Sequence, residues 1–261
     1  MEKSFKFRIY PTNEQEVLLR KSFGCVRYVY NHYLDKQQTL YKTEKKTMSY
    51  KECSGDLTKL KKELAWLNEP DSIALQSSLE HLRNAYDNFF DARKRGDTRW
   101  GLPVFKSKKD AHQSYTTKNV NSSIRVLDKH IRLPKLGLVP CRVSKQIQGR
   151  ILNVTVSCVP SGKHYVSICC TDVIHLRLHK TGSMIGLDLG LRDLAITNDD
   201  THYSNHKFLR TQERKLALLQ RRHSRKQIGS KNREKARVKV ARLHEYISNC
   251  RMDAHHKLTT T

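Results

Sequence analysis

The spacing of apolar residues changes period twice along this 261-residue chain, and this restricts the folds that the chain can adopt. Residues 5–10 alternate apolar and polar side chains, which is typical of a half-buried strand. From residue 12 to 95 the apolar residues recur every three or four positions, as in amphipathic helices. From about residue 115 to 180 the period returns to two. The pattern predicts a helical bundle inserted into a module of short strands.

Three helices are predicted in the bundle. Thr12 and Gln15 have the spacing of a capping box, so a helix should begin near Asn13, with a break at Phe23-Gly24. Asp71 is placed to cap the third helix. The apolar faces of the second and third helices are supplied by Leu57, Leu60, Leu64, Leu67, Leu75, Leu79, Leu82, Tyr86 and Phe89.

Short strands follow the helices. They are predicted at residues 124–126, 142–147, 151–156 and 164–168, with hairpin turns at Gly149 and at Pro160-Ser161-Gly162. Because these strands are closely spaced and have no helices between them, they predict a small barrel or meander. The strand at residues 5–10 is expected to pair with this module.

One carboxylate, Asp188, lies within an apolar run and is followed at once by a glycine turn. Asp is depleted in strands and is almost never fully buried without a partner. Its partner is expected to be a divalent metal or a basic group, or else the backbone amides of the glycine turn. Cleavage of phosphodiesters by two metal ions needs several converging carboxylates. The acidic residues that follow, none with convincing ligand spacing, are Asp193, Asp199 and Asp200.

The charge of the chain indicates a polyanionic partner. Lys and Arg total 50 against 25 Asp and Glu, which gives a formal net charge of +25. Such a charge attracts phosphate over long range and argues against a merely soluble basic surface. The sequence shows no signal peptide and no apolar run of transmembrane length, so no membrane association and a cytoplasmic, nucleoid-associated location are expected.

The seven cysteines are expected to be buried or half-buried thiols of a cytoplasmic protein. Their number is odd, their spacing is irregular and no Cys-x-x-Cys pair occurs, so neither a zinc site nor a redox dithiol is predicted. They are Cys25, Cys53, Cys141, Cys158, Cys169, Cys170 and Cys250.

About half of the net charge lies near the C-terminus. Between Lys207 and Lys257 there are 16 Lys and Arg against four acidic residues. The densest run, residues 221–226, is predicted to join two helices and to contact phosphates; the alternative is a solvated helix face. The predicted nucleic-acid contacts of this part are Lys207, Arg210, Arg214, Arg221, Arg222, Arg225, Lys226, Lys231 and Arg233.

A second basic stretch mixes cations with aromatic residues. Its predicted nucleic-acid contacts are Arg93, Lys94, Arg95, Lys106, Lys108 and Lys109. Trp100, Phe105 and Tyr115 either stack on unpaired bases or belong to the core of the bundle, and the sequence leaves both alternatives open.

These segments resemble the motifs of the OrfB/TnpB proteins of insertion sequences. That family is long described as transposases and is understood as RNA-guided DNA endonucleases related to type V CRISPR effectors. The segments that carry the resemblance are residues 6–11, 23–31, 105–109, 186–194, 208–210, 229–237 and 241–244.

The resemblance implies a mixed α and β fold. A wedge-like β barrel is expected at residues 1–11 and 112–181, and a helical recognition lobe with a helix-turn-helix-like start at residues 12–111. The N-terminal part of a RuvC-type, RNase H-like nuclease domain is expected at residues 182–261. Asp188 stands where the family's first catalytic, metal-binding Asp stands.

The resemblance also implies cofactors and partners. DNA and a structured guide RNA are the expected partners, and Mg²⁺ is the expected cofactor. The family's other two catalytic carboxylates and its four-Cys zinc module are expected beyond residue 261. The metal site at Asp188 is therefore expected to be incomplete, with Mg²⁺ held weakly and no zinc.

Three hypotheses about function remain open from the sequence. The chain is a nucleic-acid-binding, truncated relative of an RNA-guided endonuclease that is catalytically incomplete as given. Alternatively, it is an active metal-dependent endonuclease whose missing half comes from a separately encoded chain. In the third hypothesis it is a non-enzymatic DNA- or RNA-binding remnant with a regulatory role. The coding sequence after codon 261 would discriminate between them.

Overall fold

The computed structural model describes residues 1–110, 112–174, 179 and 181–260. They divide into two compact units: Met1–Val159 with Lys163–His175, and Pro160–Gly162 with Leu176–Thr261. Both units combine helices with antiparallel strands, which confirms the mixed α and β class. The division into a wedge, a recognition lobe and a nuclease part stays a prediction.

The first unit is built around a seven-stranded sheet. Its first strand, β1 (Lys3–Ile9), buries Phe5, Phe7 and Ile9 and lies between two strands that come much later in the chain. The expected pairing of this strand with the later module is therefore confirmed. The other strands are β2 (Gln113–Lys118), β3 (Arg125–Val126), β4 (His130–Leu133), β5 (Gly137–Arg142), β6 (Arg150–Cys158) and β7 (His164–Thr171), in the order β2-β6-β7-β1-β5-β4-β3.

One strand prediction is wrong. The strand predicted at residues 142–147 ends at Arg142, and β5 instead runs on its N-terminal side through Pro140. Proline is normally kept out of central strands because it cannot donate a hydrogen bond. Here Pro140 needs only to accept, since its carbonyl oxygen receives the Tyr10 N–H at 2.8 Å. Among the described strands, β2 and β3 are the two edge strands of the sheet. Closure of the sheet into a barrel therefore stays a prediction.

The two predicted turns have different outcomes. Pro160–Gly162 links the paired strands β6 and β7, and the Val159 N–H donates to the Lys163 carbonyl oxygen at 3.0 Å, so this hairpin is confirmed. Gly149 precedes β6, but β5 and β6 are not neighbours in the sheet. It is therefore a bend and not a hairpin turn.

Three helices are inserted between β1 and β2, as predicted. The capping box is formed: the Gln15 N–H donates to Thr12 Oγ1 at 3.3 Å and the Thr12 N–H donates to Gln15 Oε1 at 3.0 Å. Asp71 caps the third helix by accepting the Ile73 N–H at 3.3 Å. The helices are α1 (Asn13–Glu44), α2 (Tyr50–Glu63) and α3 (Ser72–Lys94), with a 3-10 turn at Ala65–Asn68.

The break predicted at Phe23-Gly24 is wrong, because α1 continues through both residues. Phe23, Cys25 and Val26 are buried around this point. Their packing offsets the cost of a mid-helix glycine, which is about 1 kcal/mol relative to alanine. Tertiary burial therefore overrides the local propensity.

The bundle and the sheet share one hydrophobic core. The rings of Phe23 on α1 and Tyr115 on β2 lie 5.8 Å apart. Within the bundle, Ser78 Oγ on α3 donates to the Val26 carbonyl oxygen on α1 at 2.8 Å. The inserted helices thus pack directly on the sheet that flanks them in sequence.

The second unit has a three-stranded sheet and two long helices. The strands are β8 (Leu187–Asp188), β9 (Asp193–Thr197) and β10 (His202–Ser204), and the helices are α4 (Phe208–Ser224) and α5 (Lys231–Leu258). β8 is only two residues long and pairs with β9, which in turn pairs with β10. Leu216 of α4 packs against Leu243 and Ile247 of α5. In the described part of the chain, no helix has the length and apolar character needed to cross a membrane.

The prediction that the cysteines are buried or half-buried is confirmed. None of the seven forms a disulfide within the described part of the chain. Cys25, Cys53, Cys141 and Cys170 are buried and the other three are half-buried, so they behave as small apolar side chains.

Gly149 provides a test of the sheet. Its φ is +81°, and a Cβ there would lie 2.1 Å from the Thr171 carbonyl oxygen. We expect Gly149→Ala to lower the free energy of unfolding by about 3 kcal/mol or more, measured by urea denaturation. Gly137→Ala is the matched control, because Gly137 also has a positive φ but open space around it, so only the backbone cost of about 1 kcal/mol applies. Equal losses in the two variants would contradict the close contact.

Candidate functional site

Asp188 lies at the end of the short strand β8 and is exposed. Its position is set by neighbours: Asp188 pairs with Ile196 of β9, and Asn198 holds Gly186 through two hydrogen bonds of 3.0 and 3.2 Å. In the described residues its carboxylate has neither the basic partner nor the glycine-turn amides that the sequence suggested. The carboxylate oxygens therefore face solvent and are available to an external ligand.

The acidic residues near Asp188 are engaged within the hairpin of β9 and β10. His202 lies between two of them, with Nδ1 3.3 Å from Asp193 Oδ2 and Nε2 3.3 Å from Asp200 Oδ1. Asp199 accepts hydrogen bonds from the Thr197 hydroxyl and, at 3.3 Å, from the Thr201 N–H. These bonds also lower the pKa of the Asp199 carboxyl, because they favour its ionised form. The three carboxylates therefore stabilise the hairpin of β9 and β10.

A metal site is not assembled in the described part of the chain, where no group of three or more His, Cys, Asp or Glu is arranged to hold an ion. Asp188 offers hard oxygen atoms, the type of ligand that Mg²⁺ prefers. The residues present thus fit a single ligand position for Mg²⁺.

The densest basic run lies at the end of α4. Arg221 and Arg222 belong to the last helical turn, whereas Arg225 and Lys226 follow it in the connection to α5. The prediction that this run only joins two helices is therefore wrong in part, because four of its six residues belong to α4. All four side chains are exposed. Cations suit a helix C-terminus, where the backbone carbonyls carry partial negative charge.

Arg233 differs from the other predicted contacts of this part. It is half-buried, and its Nη1 donates to the Lys226 carbonyl oxygen at 2.7 Å. Its guanidinium group closes the connection between α4 and α5, so its first role is structural. The other predicted contacts, which are all exposed, are Lys207, Arg210, Arg214 and Lys231.

One residue of this surface was not predicted. Lys207 and Arg210 border a cavity of about 360 Å³ that Arg251 of α5 also lines. Arg251 is far from them in sequence, and only the antiparallel packing of α4 and α5 brings the three cations to one opening. The spacing of residues along α5 does not distinguish Arg251 from the other basic residues of that helix.

In the first unit, the predicted cations at the end of α3 are exposed. Arg93 lies over the Phe89 ring at 5.3 Å, and Lys94 is 3.9 Å from Asp91. Arg95 follows as the C-terminal cap of the helix. Lys108 and Lys109 are likewise exposed.

The three aromatic candidates separate by burial. Tyr115 is 4% exposed and packs on Phe23, so the core alternative applies to it and its ring has no free face for a base. Trp100 and Phe105 are each 50% exposed. Their stacking on bases stays a prediction.

Lys106 is held by a residue that sequence reasoning missed. Asn31 of α1 accepts the Lys106 N–H at 2.8 Å and donates through Nδ2 to the Lys106 carbonyl oxygen at 2.9 Å. These bonds join two of the segments singled out in the sequence, residues 23–31 and 105–109. The Lys106 ammonium lies 4.0 Å from the centre of the Tyr30 ring.

The hydrogen bonds to Asp193 and Asp200 raise the pKa of the His202 imidazole. Because the folded-state pKa is raised, the protonated imidazole stabilises the hairpin below the unfolded pKa, and this contribution is lost as pH rises through the folded pKa. We expect Asp193→Asn to lower the His202 pKa in an NMR titration, towards the unperturbed value of about 6.5. Asp128→Asn is the control and should leave it unchanged. If the pKa of His202 were the same in both variants, its hydrogen bond to Asp193 would not be the main cause of the raised pKa.

Two family models match the chain. A helix-turn-helix domain of the OrfB family of insertion sequence IS605 matches residues 1–46, and a probable transposase of the same family matches residues 163–261.

Relatives match along the full chain. A protein of Streptomyces pristinaespiralis named as a candidate RNA-guided DNA endonuclease is 36% identical over 100% of this chain and 64% of its own length. InsQ of Escherichia coli K12, with the same type of name, is 36% identical over 98% of this chain and 62% of its own length. The chain thus spans less than two thirds of either relative.

A solved structure also aligns, with low similarity. It is a cryo-EM structure of a Cas12f1-sgRNA-target DNA complex, with a TM-score of 0.31 and 12% identity over 96% of this chain and 66% of that chain. This TM-score is too low for an argument about the fold. The family models and the 36% identity along its length show that the chain belongs to the OrfB/TnpB family of insertion-sequence proteins.

Proposed function

We propose that this chain is a transposon-encoded nucleic-acid-binding protein of the RNA-guided DNA endonuclease type, with DNA and a structured guide RNA as partners. The observation that carries the proposal is the basic surface of α4 and α5. Arg221, Arg222, Arg225 and Lys226 are exposed and form no ion pair with a carboxylate of the described residues. Phosphate groups are the natural counterions for such a cluster.

Two features make structured RNA or DNA a better partner than another polyanion. The formal charge of +25 extends over both units, since basic residues also surround the end of α3. Trp100 and Phe105 follow those cations closely in sequence and are half exposed, which suits stacking on unpaired bases. Attraction between charges does not require exposed aromatic rings, whereas stacking on bases does.

In this proposal Asp188 provides one carboxylate of a catalytic metal site. When bound there, Mg²⁺ would polarise the phosphodiester and activate the attacking water. Asp193 and Asp200 are held by His202, and Asp199 by the turn, so they are poorly placed to complete the site. We therefore propose that the 261-residue chain is catalytically incomplete alone. Further carboxylates are supplied in cis by a longer polypeptide or in trans by a separate one.

Nucleic-acid binding should depend strongly on salt. Neutralising Arg221, Arg222, Arg225 and Lys226 together to Gln should flatten the slope of log affinity against log salt, by up to about 0.9 per lost phosphate contact on duplex DNA. The slope is measured by fluorescence anisotropy with a labelled duplex and with a structured RNA.

The control removes the same charge elsewhere. Gln is placed at four exposed lysines of the first unit, Lys51, Lys59, Lys62 and Lys129, which changes the net charge equally. We expect the control to retain most of the slope. If both variants lose the same amount, only net charge matters and the α4 cluster is not a binding surface.

Cleavage should require carboxylates in addition to Asp188. We expect the purified 261-residue chain not to cut single- or double-stranded DNA with Mg²⁺ or Mn²⁺, with or without RNA. Adding the C-terminal part of a full-length relative, in cis or in trans, should create metal-dependent cleavage that Asp188→Ala abolishes. Asp188→Ala should leave nucleic-acid affinity nearly unchanged, because it removes no cation. The control substitution is Asp128→Ala, which should affect neither cleavage nor affinity.

Two results would overturn this part of the proposal. One is Asp188-dependent cleavage by the 261-residue chain alone. The other is a restored nuclease that is indifferent to Asp188→Ala. Binding without any restorable cleavage would favour the non-enzymatic nucleic-acid binder.

A further inference from the structure

Helix α1 and the segment before β2 enclose a small polar cavity in the first unit. Its volume is about 190 Å³, several times the roughly 30 Å³ that one water molecule occupies in the liquid. Phe23 and Val26, both buried, supply its apolar wall. The polar side chains that line it include Arg27, Lys106, Ser107, Asp110, His112 and Gln113.

One face of α1 holds the segment that lines much of the cavity. Arg27, Tyr30 and Asn31 are three and four residues apart, so they lie on the same side of the helix. Each has a different contact with the later segment. Arg27 Nη1 donates to Gln113 Oε1 at 2.7 Å, the Tyr30 ring lies under the Lys106 ammonium, and Asn31 holds the Lys106 backbone with two hydrogen bonds.

The two cations of the cavity have neutral partners. Arg27 is bound to an amide oxygen, and Lys106 faces an aromatic ring. Neither forms an ion pair with a carboxylate of the described residues. The carboxylate in the lining, Asp110, accepts the Ser107 N–H at 3.0 Å and so stabilises the turn between them.

The environment of Lys106 favours an anion. Lys106 is exposed as a whole residue, yet the protein around its amine displaces water and lowers the pKa of that amine. A nearby anion would restore the lost stabilisation of the charged form. The pKa of His81 on α3 is lowered as well, first by burial of the imidazole and then by the positive charge of Lys106.

We propose that Arg27 and Lys106 form a binding pocket for one phosphodiester group of a bound nucleic acid, and that Asn31 is the positioning residue that holds Lys106 in place. Arginine suits this role because its planar guanidinium can bind two phosphate oxygens, while lysine adds a point charge. The exposed side chains of Phe105, Lys108 and Lys109 continue the surface along which the strand would run. This inference rests on the proposed nucleic-acid binding and names one contact within it.

The pocket can be tested first with inorganic phosphate. A ligand that binds only the folded state raises the melting temperature, so phosphate should raise the Tm of the wild-type chain relative to chloride at equal ionic strength. Lys106→Gln and Arg27→Gln should each lose this rise, and Lys62→Gln, an exposed lysine of α2, should keep it. Retention of the rise in both pocket variants would overturn the pocket.

The second test uses oligonucleotides. Lys106→Gln should lower the slope of log affinity against log salt by about 0.7 to 0.9, the value of one phosphate contact, whereas Lys106→Arg should restore most of it and Lys62→Gln should change it little. Should Lys106→Gln not fold, as judged by circular dichroism, Arg27→Gln provides the same measurement.

Asn31 is tested through Lys106. Asn31→Ala should reduce the salt slope as much as Lys106→Gln does, and the double variant should lose no more than either alone. A purely structural role would lower stability without changing the slope. Additive losses in the double variant would overturn the positioning role.

The two proposals can fail separately. If the wild-type chain shows no salt-dependent nucleic-acid binding, the proposed function fails, and the phosphate test still decides whether the pocket exists. If the wild-type chain binds but Lys106→Gln behaves like Lys62→Gln in both tests, the pocket is wrong and the proposed function stands.

Discussion

The first unit depends on the pairing of β1 with two strands that are more than a hundred residues away. β1 binds β7 along its whole length and β5 at its end, so the N-terminus of the chain becomes the interior of the sheet. Phe5, Phe7 and Ile9 then face the core, and everything between β1 and β2 has to leave the sheet and return to it. The helical bundle is a consequence of this constraint, because an insertion that packs its own apolar faces is the simplest way to close such a long connection.

The same constraint explains why two distant motifs meet. α1 starts directly after β1, and the segment before β2 has to return to the sheet beside it. The contact between Phe23 and Tyr115 fixes where the chain returns to the sheet. The two hydrogen bonds between Asn31 and Lys106 fix the position of the segment that precedes β2. Lys106 lies in a loop, yet its backbone is held by a residue of a helix. Such a fixed position is what the proposed phosphate contact requires.

The elements that the sequence predicts well are those with a local signal. The capping box at Thr12 and the apolar stripe of α3 each depend on residues within a turn or two, and both are confirmed. β2 and β5 were missed because their evidence is not local. β2 has a single large apolar side chain, Tyr115, among polar residues, and β5 contains Pro140, whose carbonyl oxygen accepts its hydrogen bond from the distant Tyr10. Tyr115 shows the same limit, since its sequence neighbours are polar and its burial comes from distant residues such as Phe23 of α1.

The interpretation of Asp188 as a candidate catalytic residue depends on family membership more than on its packing. Asp188 is exposed on a two-residue strand, and the large apolar residues around it, Leu187 and Leu189, are 53% and 69% exposed. Leu187 and Leu189 are two positions apart, so their side chains lie on one face of the chain and Asp188 lies on the other. An apolar face of this kind is normally covered in a folded sheet, whereas the described residues of this unit leave the two leucines exposed. A carboxylate becomes a rigid ligand where water is excluded and its neighbours are fixed, so the proposed metal role of Asp188 requires a cover on its own face of the strand as well as on the face of the leucines.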